Sequence, residues 1–186
     1  RASPPGSREG GAGAIPPPVY TPFVAEAYPD ARIEVLADAA GAYRLDGPFP
    51  TFASWDSISI MPPAMEVSSN DDLTMYGIFQ QGALSFPDIT FTQVNAAYDE
   101  TQDFFLGLLG APERDIYEAL QDNLADIRSA GMDNFRAYTA PGEAHCLTIL
   151  PDFYETSVDG VRLVDWVADL INGEDVPDIE CDDCRD

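Results

Sequence analysis

Lysine is absent from this chain: all 9 cationic side chains are arginine, set against 33 Asp and Glu, which gives a formal net charge of −24 over 186 residues. A field of that sign repels a phosphate backbone instead of releasing its counterions, so a nucleic-acid partner is excluded. No run approaches the roughly 18 apolar residues that cross a bilayer, and the first residues lack the basic-then-apolar order of a secretory leader, so no membrane partner is expected. Histidine occurs once, as His145, and cysteine three times. A structural zinc site needs four ligands, and His145 stands beside Cys146 instead of in a second knuckle, so no metal or other cofactor is expected. The acidic pairs Asp71-Asp72, Asp99-Glu100 and Asp182-Asp183, with Asp38, match no spaced calcium loop and read as solvated faces.

What is present is a globular composition, with 45% hydrophobic and 11% aromatic residues, enough to bury one core. Residues 1–15 are rich in Gly, Pro, Ser and Ala and read as a flexible segment, with residues 16–186 as a single domain. Cys181-Asp-Asp-Cys184 reads as a staple near the end of the sequence, the two bonded to each other or one of them to Cys146. Either pairing suits an oxidising environment, so the protein is expected to be secreted or extracellular.

Alternation and spacing then divide the domain. Val19, Phe23, Val24 and Ala27 fall at helical spacing behind a run of prolines, and Tyr28-Pro29-Asp30 stops the helix. Residues 33–37 form a short apolar strand leading into a turn at 38–41. Residues 45–88 carry prolines, Trp55, Met61, Met65 and Phe79 without long periodicity, which predicts an insertion folded over a pocket as a lid, or a purely structural connection. Residues 89–94 alternate as a strand. Pro112 opens a helix whose Ile116, Leu120, Leu124 and Ile127 share a face, with Gly131 as its left-handed cap. Residues 135–139 are a third strand, and Asp159 or Gly160 starts a last helix with Val164, Val167, Leu170 and Ile171 inward and Asn172-Gly173 at its end. Strands alternating with helices imply an α/β fold, a parallel sheet flanked by helices, with functional groups on loops beyond the strand C-termini.

Asp99 and His145 both follow strands, acid before histidine, the order and placement of a nucleophile–acid–histidine triad in α/β-hydrolases. A carboxylate there would orient the imidazole, and the imidazole would take a proton from a serine hydroxyl.

Tyr98-Asp99-Glu100-Thr101-Gln102, Pro141-Gly142-Glu143-Ala144-His145, Phe153-Tyr154 with Asp159-Gly160-Val161-Arg162-Leu163-Val164-Asp165-Trp166-Val167, and Tyr28-Pro29-Asp30-Ala31 with Val35-Leu36-Ala37-Asp38 together resemble the pectin acetylesterase and Notum-like carboxylesterase family. The resemblance covers most of residues 6–184 and lies in the order and spacing of short motifs. It implies an α/β-hydrolase-like sheet, an acid at Asp99, a base at His145 and a carboxylic ester as substrate. In an esterase Trp55, Met61, Met65 and Phe79 would line an acyl or polymer-binding cleft, and each of them fits a core role equally well. The family's Gly-x-Ser-Ala-Gly elbow corresponds to Gly6-Ser7-Arg8-Glu9-Gly10, which puts Arg8 at the nucleophile position and leaves Ser7, one residue away, as the candidate nucleophile. Arginine cannot attack a carbonyl, because the guanidinium stays protonated. The family's earlier strands would precede Gly6, so a sheet lacking its N-terminal strands is expected, with a possible second chain supplying them. Two functions compete on these residues: a secreted serine esterase acting on acetyl or polymer esters, and a non-catalytic hydrolase scaffold with a binding or structural role.

Overall fold

The computed structural model describes residues 14–182, 184 and 185. Its centre is a four-stranded parallel sheet in the order β1 (Glu34–Asp38), β2 (Thr90–Ala96), β3 (Phe135–Ala140) and β6 (Ile179–Glu180). A parallel sheet needs a crossover between each pair of strands. Here α2 (Pro50–Ser54) and α3 (Met75–Ser85) join β1 to β2, and α4 (Glu100–Leu108) and α5 (Ile116–Ser129) join β2 to β3. α1 (Pro17–Ala27) precedes β1, and α6 (Asp152–Glu155) and α7 (Leu163–Asn172) follow β3. The α/β class with helices flanking a parallel sheet is therefore the architecture.

Successive strand side chains point to opposite faces, and the core divides accordingly. Val35, Ala37, Phe91, Phe135 and Ala137 join Ile78, Phe79, Leu120, Leu124 and Ile127 in one buried cluster. Val94, Ala96, Tyr138 and Ala140 join Leu163, Trp166, Val167 and Leu170 in the other.

Several elements depart from the expectations. In α1 only Pro18, Val19 and Thr21 are buried, while Phe23 and Val24 stand exposed. The helix meets α3 through small groups: a Cβ on Gly82 would come within 3.2 Å of Pro18 Cβ and 2.9 Å of Phe91, so the close face is set by size, not by the largest apolar residues. α5 starts at Ile116 and not at Pro112, because Asp115 caps it by accepting from the Tyr117 and Glu118 amides, both at 3.0 Å. Asp159 and Gly160 do not start α7. Both have positive φ, 51° and 80°, and form the two-residue turn of a hairpin between β4 (Ser157–Val158) and β5 (Val161–Arg162). α7 consequently begins at Leu163 and buries Leu163, Trp166, Val167 and Leu170, with Ile171 63% exposed. Ala14, placed by composition in a flexible segment, is buried in the first cluster.

Candidate active site

The C-terminal ends of β1, β2 and β3 lie side by side, and the residues just beyond them converge. Past β2, the Ala97 amide donates to Ala140 O at 2.9 Å and the Tyr98 amide to Gly142 O at 3.0 Å, which holds the loops after β2 and β3 together. Asp99 then caps α4, its Oδ1 accepting from the Thr101 and Gln102 amides at 2.9 Å each. Its Oδ2 accepts from Gln102 Nε2 at 2.9 Å and lies 2.7 Å from His145 Nδ1. Both side chains are buried. With Asp99 Oδ2 as acceptor, the neutral imidazole carries its proton on Nδ1, and Nε2 holds the lone pair that can take a proton.

The loop that delivers His145 is braced from several directions. Gly142, at φ 88°, donates its amide to Cys184 O at 2.9 Å, and the Glu100 amide donates to Glu143 O at 3.4 Å. Cys184 is disulfide-bonded to Cys181, directly after β6, so the staple reaches the histidine loop. Of the two pairings the sequence left open, the structure has Cys181 with Cys184, and Cys146 is a free, buried thiol. Burial, and after it the nearby Asp38 and Asp99 carboxylates, push the Cys146 thiol up to about 12. It therefore stays protonated at neutral pH.

A second carboxylate, Asp38, ends β1. It accepts from the Leu147 amide at 3.2 Å, the Thr148 amide at 2.8 Å and Thr148 Oγ1 at 2.6 Å. Burial raises its pKa, against the opposing pull of the Thr148 and Leu147 hydrogen bonds and of His145. The loop after Asp38 is fully buried and tied down by amides: the Gly41 amide donates to Asn95 Oδ1 at 2.8 Å, the Ala42 amide to Gln102 Oε1 at 3.0 Å, and Asn123 Nδ2 to Gly41 O at 2.8 Å and Tyr43 O at 3.1 Å. Gln102 thus joins this loop to Asp99. Burial, and then Asp99 and Cys146, raise the Tyr43 phenol.

The structure brings Asp99 and His145 into contact. Ser7 and Arg8 lie outside the described residues. Met65 and Phe79 belong to the core: Phe79 is fully buried and packs edge-on against Phe135 at the start of β3, the end of the sheet remote from His145. Met61 packs against the same cluster, and Trp55 is 72% exposed. Sequence reasoning set aside Asp38 as part of a solvated acidic surface, although it carries the same signal as Asp99, a carboxylate at the C-terminal end of a buried strand. Among the described residues no three His, Cys, Asp or Glu side chains gather to hold a metal ion, and no helix is long and apolar enough to cross a membrane. Compared with known proteins, the chain matches no family model, no curated protein and no solved structure.

Proposed function

We propose that the chain is a serine-type carboxylic ester hydrolase with an α/β-hydrolase-like fold, similar to the pectin acetylesterases and Notum-like carboxylesterases. The observation that carries this reading is the buried 2.7 Å contact between Asp99 Oδ2 and His145 Nδ1, at the C-terminal ends of parallel strands and in acid-then-histidine order. In the first half-reaction the Ser7 hydroxyl attacks the ester carbonyl, His145 Nε2 takes the hydroxyl proton and passes it to the departing alkoxide, and an acyl-serine remains. In the second, Nε2 takes a proton from water, the resulting hydroxide attacks the acyl carbon, and the proton returns to the serine. Asp99 orients the ring and stabilises the imidazolium in both. The part of residues 45–88 that lies outside the core serves as a cover on the acyl group, with Trp55 and Met61 as its exposed and half-buried members. The protein works outside the cell, consistent with its disulfide, and a second chain adds strands beside β1, which pairs only with β2 among the described residues.

A second reading rests on one residue. Arg8 aligned with the elbow serine favours a scaffold that keeps the acid and the histidine but binds without turnover. Hydrolysis of p-nitrophenyl acetate by the purified chain, abolished in both Ser7→Ala and His145→Ala, supports the esterase. A folded sample that neither hydrolyses the ester nor takes up a fluorophosphonate label supports the binding scaffold.

A further inference from the structure

Nothing in the ester-hydrolysis scheme employs Asp38, yet its carboxylate is committed to the turn that leaves the histidine. Among the described residues its three donors belong to Leu147 and Thr148, 109 and 110 residues away in sequence. Between that turn and His145 stands Cys146 at φ 58° and ψ 68°, a left-handed conformation that a residue with a Cβ adopts only when its surroundings hold it there. A flexible loop would relax out of this conformation and carry the ring with it. The histidine segment is fixed at both ends: before the ring by Gly142 on Cys184 and on Tyr98, and after it by Asp38.

We propose that Asp38 is a positioning residue for His145, holding the 146–148 turn so that the imidazole keeps Nδ1 on Asp99. The inference rests on Asp99 and His145 being the acid and base of the site. Asp38 touches no reacting atom in this scheme. It acts through the backbone: a carboxylate with two acceptor oxygens satisfies two adjacent N–H groups and a hydroxyl together, which an amide cannot do, because its NH₂ would face one of those N–H groups.

The single histidine makes the test direct, since a sample labelled with ¹⁵N at histidine gives imidazole signals from one residue. The wild-type ring is expected as one tautomer, protonated on Nδ1, with slow exchange of that proton. In Asp38→Asn a second tautomer is expected, with Nδ1–H exchange at least 10-fold faster, and kcat for p-nitrophenyl acetate at least 10-fold lower at a KM within twofold of wild type. Thr148→Val is expected to move the imidazole signals in the same direction and Thr148→Ser, which keeps the hydroxyl, to restore them. A wild-type imidazole spectrum in folded Asp38→Asn overturns the proposal; if that variant does not fold, a wild-type spectrum in Thr148→Val does so. A wild-type chain without ester hydrolysis refutes the esterase reading and leaves the imidazole readout standing. An active Asp38→Asn with a wild-type spectrum refutes the positioning role alone.

Discussion

Replacing Gly41 with alanine tests how tightly the loop behind the site is packed. The added Cβ would lie 2.5 Å from Asn95 Nδ2, 2.7 Å from Gln93 Oε1 and 2.8 Å from Asn95 Oδ1, all inside the closest approach that carbon tolerates. Gln93 can yield, because neither of its amide atoms has a hydrogen-bond partner among the described residues. Asn95 cannot yield so easily, since its Oδ1 accepts from the Gly41 amide itself. The substitution therefore combines overpacking, worth about 1–3 kcal/mol, with weakening of a buried hydrogen bond worth about 0.5–1.5 kcal/mol. The sum is roughly 1.5–4.5 kcal/mol, which for a chain of this size lowers Tm by about 3–18 °C. Differential scanning calorimetry reads this directly. Gly47→Ala is the matched control, because nothing lies within 4 Å of its Cβ position, and its effect is expected within about 0.5 kcal/mol. In an Asn95→Ala background the Gly41→Ala cost should shrink, since the main obstacle has gone. A Tm for Gly41→Ala within about 2 °C of wild type would refute the packing argument.

His145→Ala is expected to lower ester hydrolysis by about 10³-fold or more and Asp99→Asn by about 10²–10⁴-fold, read as initial rates at saturating ester; unchanged rates in either remove the pair from the mechanism. Cys146 titrates at 9.0 in an ordinary environment and is pushed up to about 12 in the fold. The folded state thus binds this proton more tightly than the unfolded chain. Its contribution to stability is complete below pH 9 and declines as pH rises toward 12, so the stability difference between wild type and Cys146→Ala should fall across that interval and stay flat from pH 6 to 8, as urea midpoints will show. Ellman's reagent should likewise find the thiol only after denaturation. Trp166→Phe removes the bond from Nε1 to Pro177 O, 2.8 Å long, and leaves a void beside a buried ring, so a loss of about 1–3 kcal/mol in urea unfolding is expected; a loss below about 0.5 kcal/mol contradicts it.

The three long strands were legible because their residues alternate or run apolar between turn-forming neighbours, and a parallel sheet followed from the helices between them. Asp99 and His145 were legible for the same reason, as polar residues just past buried strands. β6 was not, because two residues carry no periodicity and its pairing with β3 depends on where the chain returns in space. The phase of α7 differs by one residue from the spacing of its apolar residues because Asp159-Gly160, which suits a helix start, has the chemistry of a hairpin turn. In α1 the apolar residues at helical spacing do not mark the buried side, because the close approach to Gly82 is made by Pro18. The roles of Asp38, Gln102 and Asn123 escaped because each acts on backbone groups that are remote in sequence, a relation no local pattern encodes.

The span of these contacts bears on how the protein is made. Asp99 meets its imidazole 46 residues further along the chain, which at 5–20 residues per second is about 2–9 s of synthesis. Asp38 waits for a partner 110 residues away, and the Gly142 amide for Cys184. Until β3 is made, β2 has β1 on one side and bare backbone on the other; α1 and α3 already cover one face, while Val94 and Ala96 on the other face wait for α7. The nascent chain passes through its most adhesive state while the two halves of the acid–histidine pair are on opposite sides of the ribosomal exit, and that is the stage at which a chaperone would decide its yield.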